Sequence, residues 1–238
     1  MISLNDFSVG YDSNELISNV NTDFETNKLT ALIGNNGSGK STLLKAVCGL
    51  NNKYKGEIFI DNQNLKNCSP QVLSTKLAYV NTLRPRMSNL KCADVVALGR
   101  SPYTSWTGKI DQKNRQIIDD AFTKVGMEDY KNRYFNTLSD GESQKIMIAR
   151  AMAQSTDIII LDEPTSFLDL PTRYDLINLL QQLVADGKTI IYSTHELDIA
   201  LKMSHNIALI DSKSIINLPV PEMISHIKSS NHPFSKFI

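Results

Sequence analysis

Eight consecutive residues, Gly34-Asn35-Asn36-Gly37-Ser38-Gly39-Lys40-Ser41, match the spacing G-x-x-x-x-G-K-[ST]. They lie between an apolar run, Leu29 to Ile33, and a helical pattern, Thr42 to Leu50. The chemistry this string supports is the holding of a polyphosphate. A triphosphate carries several negative charges on neighbouring oxygens, so a loop that grips it must bring many backbone N–H groups close, where side chains would obstruct. Glycines clear that space and accept positive φ. A helix beginning near Lys40 aims its free N–H groups and dipole at the same anion. Lys40 then reaches the outer phosphates, and Ser41 is placed to hold Mg²⁺.

A second set of chemical groups ends the apolar run Ile158-Ile159-Ile160-Leu161, which is followed at once by Asp162-Glu163. A parallel strand buried on both faces delivers its C-terminal residues to the ligand crevice of an α/β sheet. Asp162 is then expected to partner Mg²⁺, directly or through its outer shell. Glu163 becomes the base that orients and polarises an attacking water.

The elements that must position these groups are legible as alternating patterns. Strands are expected at Ile2 to Val9, Val20 to Phe24, Leu29 to Ile33, Glu57 to Ile60 and Leu77 to Val80. Ser69-Pro70 starts a helix, with a capping hydroxyl and proline at the first helical position. From about Leu90 to Tyr134 the texture turns helical: Cys92 to Leu98, then a helix capped by Asp111 with Ile117, Ile118, Ala121, Phe122 and Val125 on one face. Beyond it, strand Asp157 to Leu161, helix Thr172 to Ala185, strand Thr189 to Ser193, helix Glu196 to Met203 and strand Ile207 to Ile210 alternate, which implies a parallel, helix-covered sheet. The stretch Ile215 to Ile238 offers a short strand and a helix start at Pro221-Glu222, with no assignable motif.

Composition narrows the class. The 238 residues suffice for one domain with a subdomain or for two small domains. Formal net charge is zero, with 25 basic and 25 acidic residues, so nucleic acid is not an expected partner. Cys48, Cys68 and Cys92 have neither disulfide nor zinc spacing and read as small buried hydrophobes in a reducing compartment. Residues Met1 to Gly10 alternate like a strand and not like a secretory signal, and no apolar run is long enough to span a bilayer. Work at a membrane would need another chain to cross it.

Leu138-Ser139-Asp140-Gly141-Glu142 resembles the signature motif of ABC-type ATPases, usually LSGGQ. With that resemblance the expected fold is a P-loop NTPase core built on a mostly parallel sheet, with an N-terminal antiparallel β-subdomain and an inserted helical subdomain. Residues 1–89 and 135–238 form the core and 90–134 the insert. The resemblance implies that Ser139, Gly141 and Glu142, at a second helix N-terminus, face the γ-phosphate of ATP held by the other subunit of a homodimer. Thr42 completes the phosphate loop. Ser166-Phe167-Leu168-Asp169 resembles the loop that crosses the dimer interface, with Asp169 in the nucleotide-contact set. His195 resembles the switch histidine that holds Glu163 and the water in line, since a neutral imidazole donates and accepts at once. Tyr11 matches the aromatic that stacks on adenine.

Two positions depart from the family pattern. After Ala78-Tyr79-Val80, where a metal-touching glutamine is usual, this chain has Asn81-Thr82; the shorter Thr82 would reach Mg²⁺ only by a backbone shift or a bridging water. Asp140 replaces a glycine of the signature, and its carboxylate is expected to point away from phosphate. Val96 to Tyr103 resembles the segment found in ATPases of bacterial importers for iron-siderophore complexes, haem and cobalamin. This implies a peripheral motor on the cytoplasmic face of the cell membrane, bound to permease subunits and indirectly served by a substrate-binding protein, with Tyr103 and Trp106 flanking the permease groove. The alternative is a soluble ABC-type ATPase uncoupled from transport. A DNA-repair type would need a long coiled coil, and no sustained heptad run exists.

Overall fold

The computed structural model describes residues 1–11, 14–81, 89–104, 109–230 and 232–238. Two sheets face each other. The smaller is antiparallel, in the order β2 (Asn14–Phe24), β1 (Ile2–Tyr11), β4 (Tyr54–Ile60), β5 (Gln63–Asn64). The larger runs β10 (Ser214–Pro219), β9 (Asn206–Asp211), β3 (Leu29–Gly34), β8 (Thr189–Ser193), β7 (Ile158–Leu161), β6 (Leu77–Val80). Its five strands from β9 to β6 are parallel, and β10 closes the edge antiparallel to β9. Helix α1 (Lys40–Val47) follows β3. The others are α2 (Pro70–Lys76), α3 (Cys92–Ala97), α4 (Gln112–Val125), α5 (Asp140–Ala153), α6 (Leu170–Ala185), α7 (Leu197–Met203) and α8 (Val220–Ser229).

The unbroken apolar run of β7 follows from its burial on both sides. Ile158 and Ile160 enter the core shared with the antiparallel sheet and α1, where Phe7, Phe24, Leu43 and Leu44 are fully enclosed. Ile159 and Leu161 point the other way, into the core formed with α4, α5 and α6. Period-two side-chain alternation therefore splits one strand between two cores. Among the described residues, no helix is long and apolar enough to cross a membrane.

The first hairpin is longer than its pattern predicts. Register shifts interrupt β1 between Leu4 and Gly10, with Asp6 at φ 47° and Asn19 at φ 51°. Each bulge breaks the alternation from which a strand is read. Helix α1 begins at Lys40 and stops at Val47, three residues before Leu50. Gly49 adopts φ 68°, its N–H donates to Ala46 O (3.0 Å), and the Leu50 N–H donates to Lys45 O (2.9 Å), a paired closure of the last turn. Asp111 and Ser69 cap α4 and α2 as expected, accepting from Asn114 N and Val72 N. Helix α6 starts at Leu170, ahead of the expected Thr172, because Asp169 caps it by accepting from Thr172 N.

Segment 90–134 leaves and rejoins the chain at one place. Lys91 and Tyr134 form an antiparallel bridge, Cys92 N donates to Arg133 O, and Phe135 N donates to Leu90 O, both at 2.9 Å. A 3₁₀ turn, Leu98–Tyr103, presses this segment onto the end of α5. Arg100 is buried there; its Nη1 donates to Ala153 O (2.6 Å) and Ser155 Oγ (2.8 Å), and its Nε donates to Asn114 Oδ1 (2.7 Å). A Cβ on Gly99 would lie 2.2 Å from Arg150 O, a backbone atom that cannot swing aside. Gly99→Ala is therefore expected to lower unfolding free energy by about 1–3 kcal/mol. Urea denaturation checks this; an unchanged midpoint would show that the turn and α5 separate freely.

Candidate active site

Strands β3, β8 and β7 are neighbours and parallel, so the segments leaving their C-terminal ends meet along one edge. From β3 comes the glycine loop, from β7 the pair Asp162-Glu163, and from β8 the sequence Thr194-His195. Gly34, Gly37 and Gly39 adopt φ 157°, 77° and 105°. At Gly34 a Cβ would meet Ser38 Oγ at 2.8 Å and Ile210 O at 2.9 Å. Nothing crowds Gly37, so glycine there serves backbone conformation alone. Gly39 caps α1 with no side-chain hydrogen bond, which leaves the helix N-terminus open toward the loop.

Lys40 folds over this loop. Its Nζ donates to Gly34 O (2.8 Å) and Asn35 O (3.2 Å) and lies 3.4 Å from His195 Nδ1. An ammonium only donates, so Nδ1 accepts and the imidazole proton sits on Nε2, which donates to Glu163 Oε1 at 2.6 Å. Burial pushes the Lys40 pKa below the ordinary lysine range, and the Glu163 and Asp162 carboxylates oppose the shift. Glu163 Oε2 accepts from Ser166 Oγ at 3.0 Å. The Glu163 backbone is left-handed, φ 47°, a conformation that costs a non-glycine residue about 1–3 kcal/mol. Its N–H is held by donation to Ser193 Oγ at 2.8 Å.

Ser193 is fully enclosed and also donates to Asp162 Oδ1 at 2.7 Å. Ser41 Oγ donates to the same oxygen at 2.9 Å, and Tyr79 Oη donates to Oδ2 at 3.3 Å. Burial raises the Tyr79 pKa, and Asp162 adds to the shift, so the phenol stays protonated as a donor. The sequence reading assigns no role to Ser193 or Tyr79. Ser193 leaves the weak signal of a hydroxyl ending an apolar strand two residues before His195; Tyr79 leaves none, because an aromatic on a strand normally means packing.

The remaining expected site residues fall into separate places. Tyr11 ends β1, its ring largely exposed, and its Oη accepts from Thr42 Oγ1 at 3.2 Å. Ser139 caps α5 by accepting from Glu142 N (3.3 Å). Glu142, expected among the nucleotide contacts, accepts at Oε2 from Ser139 N (2.8 Å) and at Oε1 from Tyr130 Oη (2.7 Å). Gly141 fits where a Cβ would meet Thr172 Cγ2 at 2.6 Å, which packs the start of α5 against the start of α6 and the Asp169 cap. Among the described residues, no hydrogen bond joins Ser139 or Gly141 to the glycine loop of the same copy. Tyr103 covers the Arg100 guanidinium, whose Cζ lies 4.0 Å from the ring centroid. Thr82 and Trp106 lie outside the described residues.

The residues present fit a magnesium-bound nucleotide. Ser38 Oγ is buried without a partner among the described residues, beside a helix N-terminus and a space that only glycines leave open. Ser41 and Asp162 supply one hydroxyl and one carboxylate, hard oxygen donors that suit Mg²⁺ when phosphates and water complete its shell. No three His, Cys, Asp or Glu side chains cluster as a metal cage among the described residues.

Residues 17–166, more than half of the chain, match the ABC transporter family. The chain belongs to that family and is one of its ATP-hydrolysing, ATP-binding cassettes. It is 36% identical to an uncharacterized ABC transporter ATP-binding protein of Methanocaldococcus jannaschii, over 94% of this chain and 78% of that protein. It is 31% identical to the iron(3+)-hydroxamate import ATP-binding protein of Bacillus subtilis, over 90% of this chain and 80% of that one. A dimeric ATP-binding cassette bound to ADP and phosphate superposes with a TM-score of 0.79, at 25% identity, covering 92% of this chain and 99% of the other. Lys40→Ala is expected to abolish nucleotide binding, because it removes the cation that spans the loop. Equilibrium dialysis measures it, and a normal affinity would overturn this reading of the cradle.

Proposed function

We propose that this chain is the motor subunit of an importer, working as a homodimer on permease subunits at the cytoplasmic face of a membrane and serving iron-siderophore-type chelates. The observation that carries the motor reading is the attachment of the C-terminal end of α5 to both segment 90–134 and β6. The 14 residues of α5 make a rod roughly 21 Å long. The rod begins at Ser139. It ends at Ala153 under Arg100, while Gln154 Nε2 donates to Ser74 O (2.7 Å) and Leu77 O (2.9 Å), and Arg150 Nη2 donates to Tyr79 O (2.9 Å). A force on the Ser139 end therefore moves segment 90–134 and β6 together.

In this reading, two copies close on two ATP molecules, each held by the loop of one copy and the Ser139-Gly141 corner of the other. Backbone N–H groups of residues 35–42 and Lys40 bind the phosphates. Ser41 and Asp162 hold Mg²⁺, which when bound neutralises charge on the phosphate oxygens. Glu163 orients the attacking water and takes up its proton. His195, donating from Nε2, fixes the Glu163 carboxylate, and Ser166 restrains the second oxygen. Closure does the conformational work and hydrolysis resets it.

A groove of about 890 Å³ between α2, β6 and α5 is the proposed seat of a permease helix. The likeness to an iron(3+)-hydroxamate import protein and the Val96 to Tyr103 segment support the chelate class. Loss of radiolabelled iron-chelate uptake on deleting the gene would support that cargo, and unaffected uptake would remove it.

Glu163→Gln is expected to leave ATP affinity intact, to cut turnover by about 10²–10⁴-fold, and to elute as a dimer in ATP. Unchanged turnover would remove Glu163 as the base, and a monomer at saturating ATP would remove the shared site.

A further inference from the structure

We propose that Phe234 is a positioning residue for His195: the 3₁₀ turn Pro233–Phe237 forms a wall of the nucleotide site and keeps the imidazole in line with Glu163. Phe234 and His195 border one cavity of about 240 Å³, together with Asn35 and Asn36 of the glycine loop and Leu197 at the start of α7. Phe234 is half-buried and packs on the core, whereas Pro233 and Lys236 of the same turn are exposed. His232 holds the turn in place. Its Nδ1 accepts from Phe234 N at 3.2 Å, its ring centroid lies 4.8 Å from that of Phe234, and its Nε2 lies 3.7 Å from Asp211 Oδ1 at the end of β9. Ser235 N donates to His232 O at 2.8 Å and closes the turn. One aromatic side chain thus shares a small space with the imidazole and is fastened to the sheet through its neighbour.

The physical case rests on how the imidazole is held. Lys40 Nζ approaches Nδ1 at 3.4 Å and Nε2 donates to Glu163 Oε1 at 2.6 Å, so both contacts act at the ring edges. Hydrogen bonds at the edges select the tautomer, and they weaken steeply once the ring tilts out of line. A cavity beside the ring gives it somewhere to tilt. The Phe234 side chain takes up part of the space beside the imidazole and the glycine loop, which narrows the orientations open to both. A misplacement of about 1 Å at a reacting centre costs up to about 10²-fold in rate, so even a modest loosening is visible in turnover. The inference rests on the reading of His195 as the group that fixes Glu163, and the experiment separates the two.

The test uses the full chain. It measures turnover at saturating ATP, ATP affinity by equilibrium dialysis, and the imidazole nitrogen chemical shifts of His195 by NMR in alkaline buffer, assigned through His195→Ala. In the wild type those shifts are expected to show the proton on Nε2. Phe234→Ala is expected to lower turnover by about three- to tenfold, to leave ATP affinity at its wild-type value, and to draw the two nitrogen shifts together as the tautomers mix. Phe234→Leu, which keeps an apolar side chain in the space, is expected to restore most of the turnover and the wild-type shifts. His232→Ala releases the turn without altering a residue that borders the cavity, and is expected to reproduce the Phe234→Ala effects even if that variant does not fold. Wild-type turnover in these two alanine variants, or a loss of turnover with the His195 shifts unchanged, would overturn the inference and leave the role of His195 standing. If His195→Ala itself hydrolyses ATP at the wild-type rate, the reading of His195 falls and takes the inference with it.

Discussion

The hydrogen bond from Ser41 to Asp162, 2.9 Å long across 121 residues of sequence, is the contact on which the site depends. It ties the first turn of α1 to the end of β7, two elements whose strands are separated in the sheet by β8. Ser193, at the end of that intervening strand, donates to the same carboxylate oxygen and accepts from Glu163 N. Three strand ends are thereby fastened to one buried acid. Without that closure the glycine loop, the acid pair and His195 would share an edge of the sheet but no common geometry.

Burial makes this junction consequential. Asp162, Ser193, Thr194 and Lys40 are nearly inaccessible to water, so each polar group must find a partner inside the protein. Lys40 satisfies its ammonium on loop carbonyls, at the distance where a phosphate oxygen would compete for the same donors. Glu163 differs: half-exposed and strained, its carboxylate is held at its tips by His195 and Ser166. The rigid acid suits metal holding and the suspended one suits proton transfer. In the proposed function, two adjacent carboxylates thus take different tasks from their surroundings.

The second helix terminus, at Ser139, is complete as a local structure and half of a site only in the proposed dimer. Its serine and glutamate satisfy each other in a capping box, and Gly141 gives α6 room to pack. These features explain the local structure of Ser139-Asp140-Gly141-Glu142 with no ligand at all. The helix they start is nevertheless fastened to Arg100 and to β6 at its other end, which a mere packing helix does not need. That double attachment underlies the proposed role of α5 as a lever.

The sequence by itself determined the glycine loop, the acid pair, the order of strands and helices and the capped starts of α2 and α4, because each rests on local stereochemistry or on a period set by burial. It misjudged the length of the first hairpin, where bulges break the alternation, and the end of α1, where a left-handed glycine closes the turn. Glu142, read from the resemblance as a nucleotide contact, also closes its own helix cap and accepts from Tyr130. Only the tertiary structure decided that Ser193 and Tyr79 belong to the site, that His195 carries its proton on Nε2, and that Arg100 anchors α5. Those facts arise from contacts between residues 30 to 155 positions apart, and separation of that kind leaves no periodicity or spacing to read.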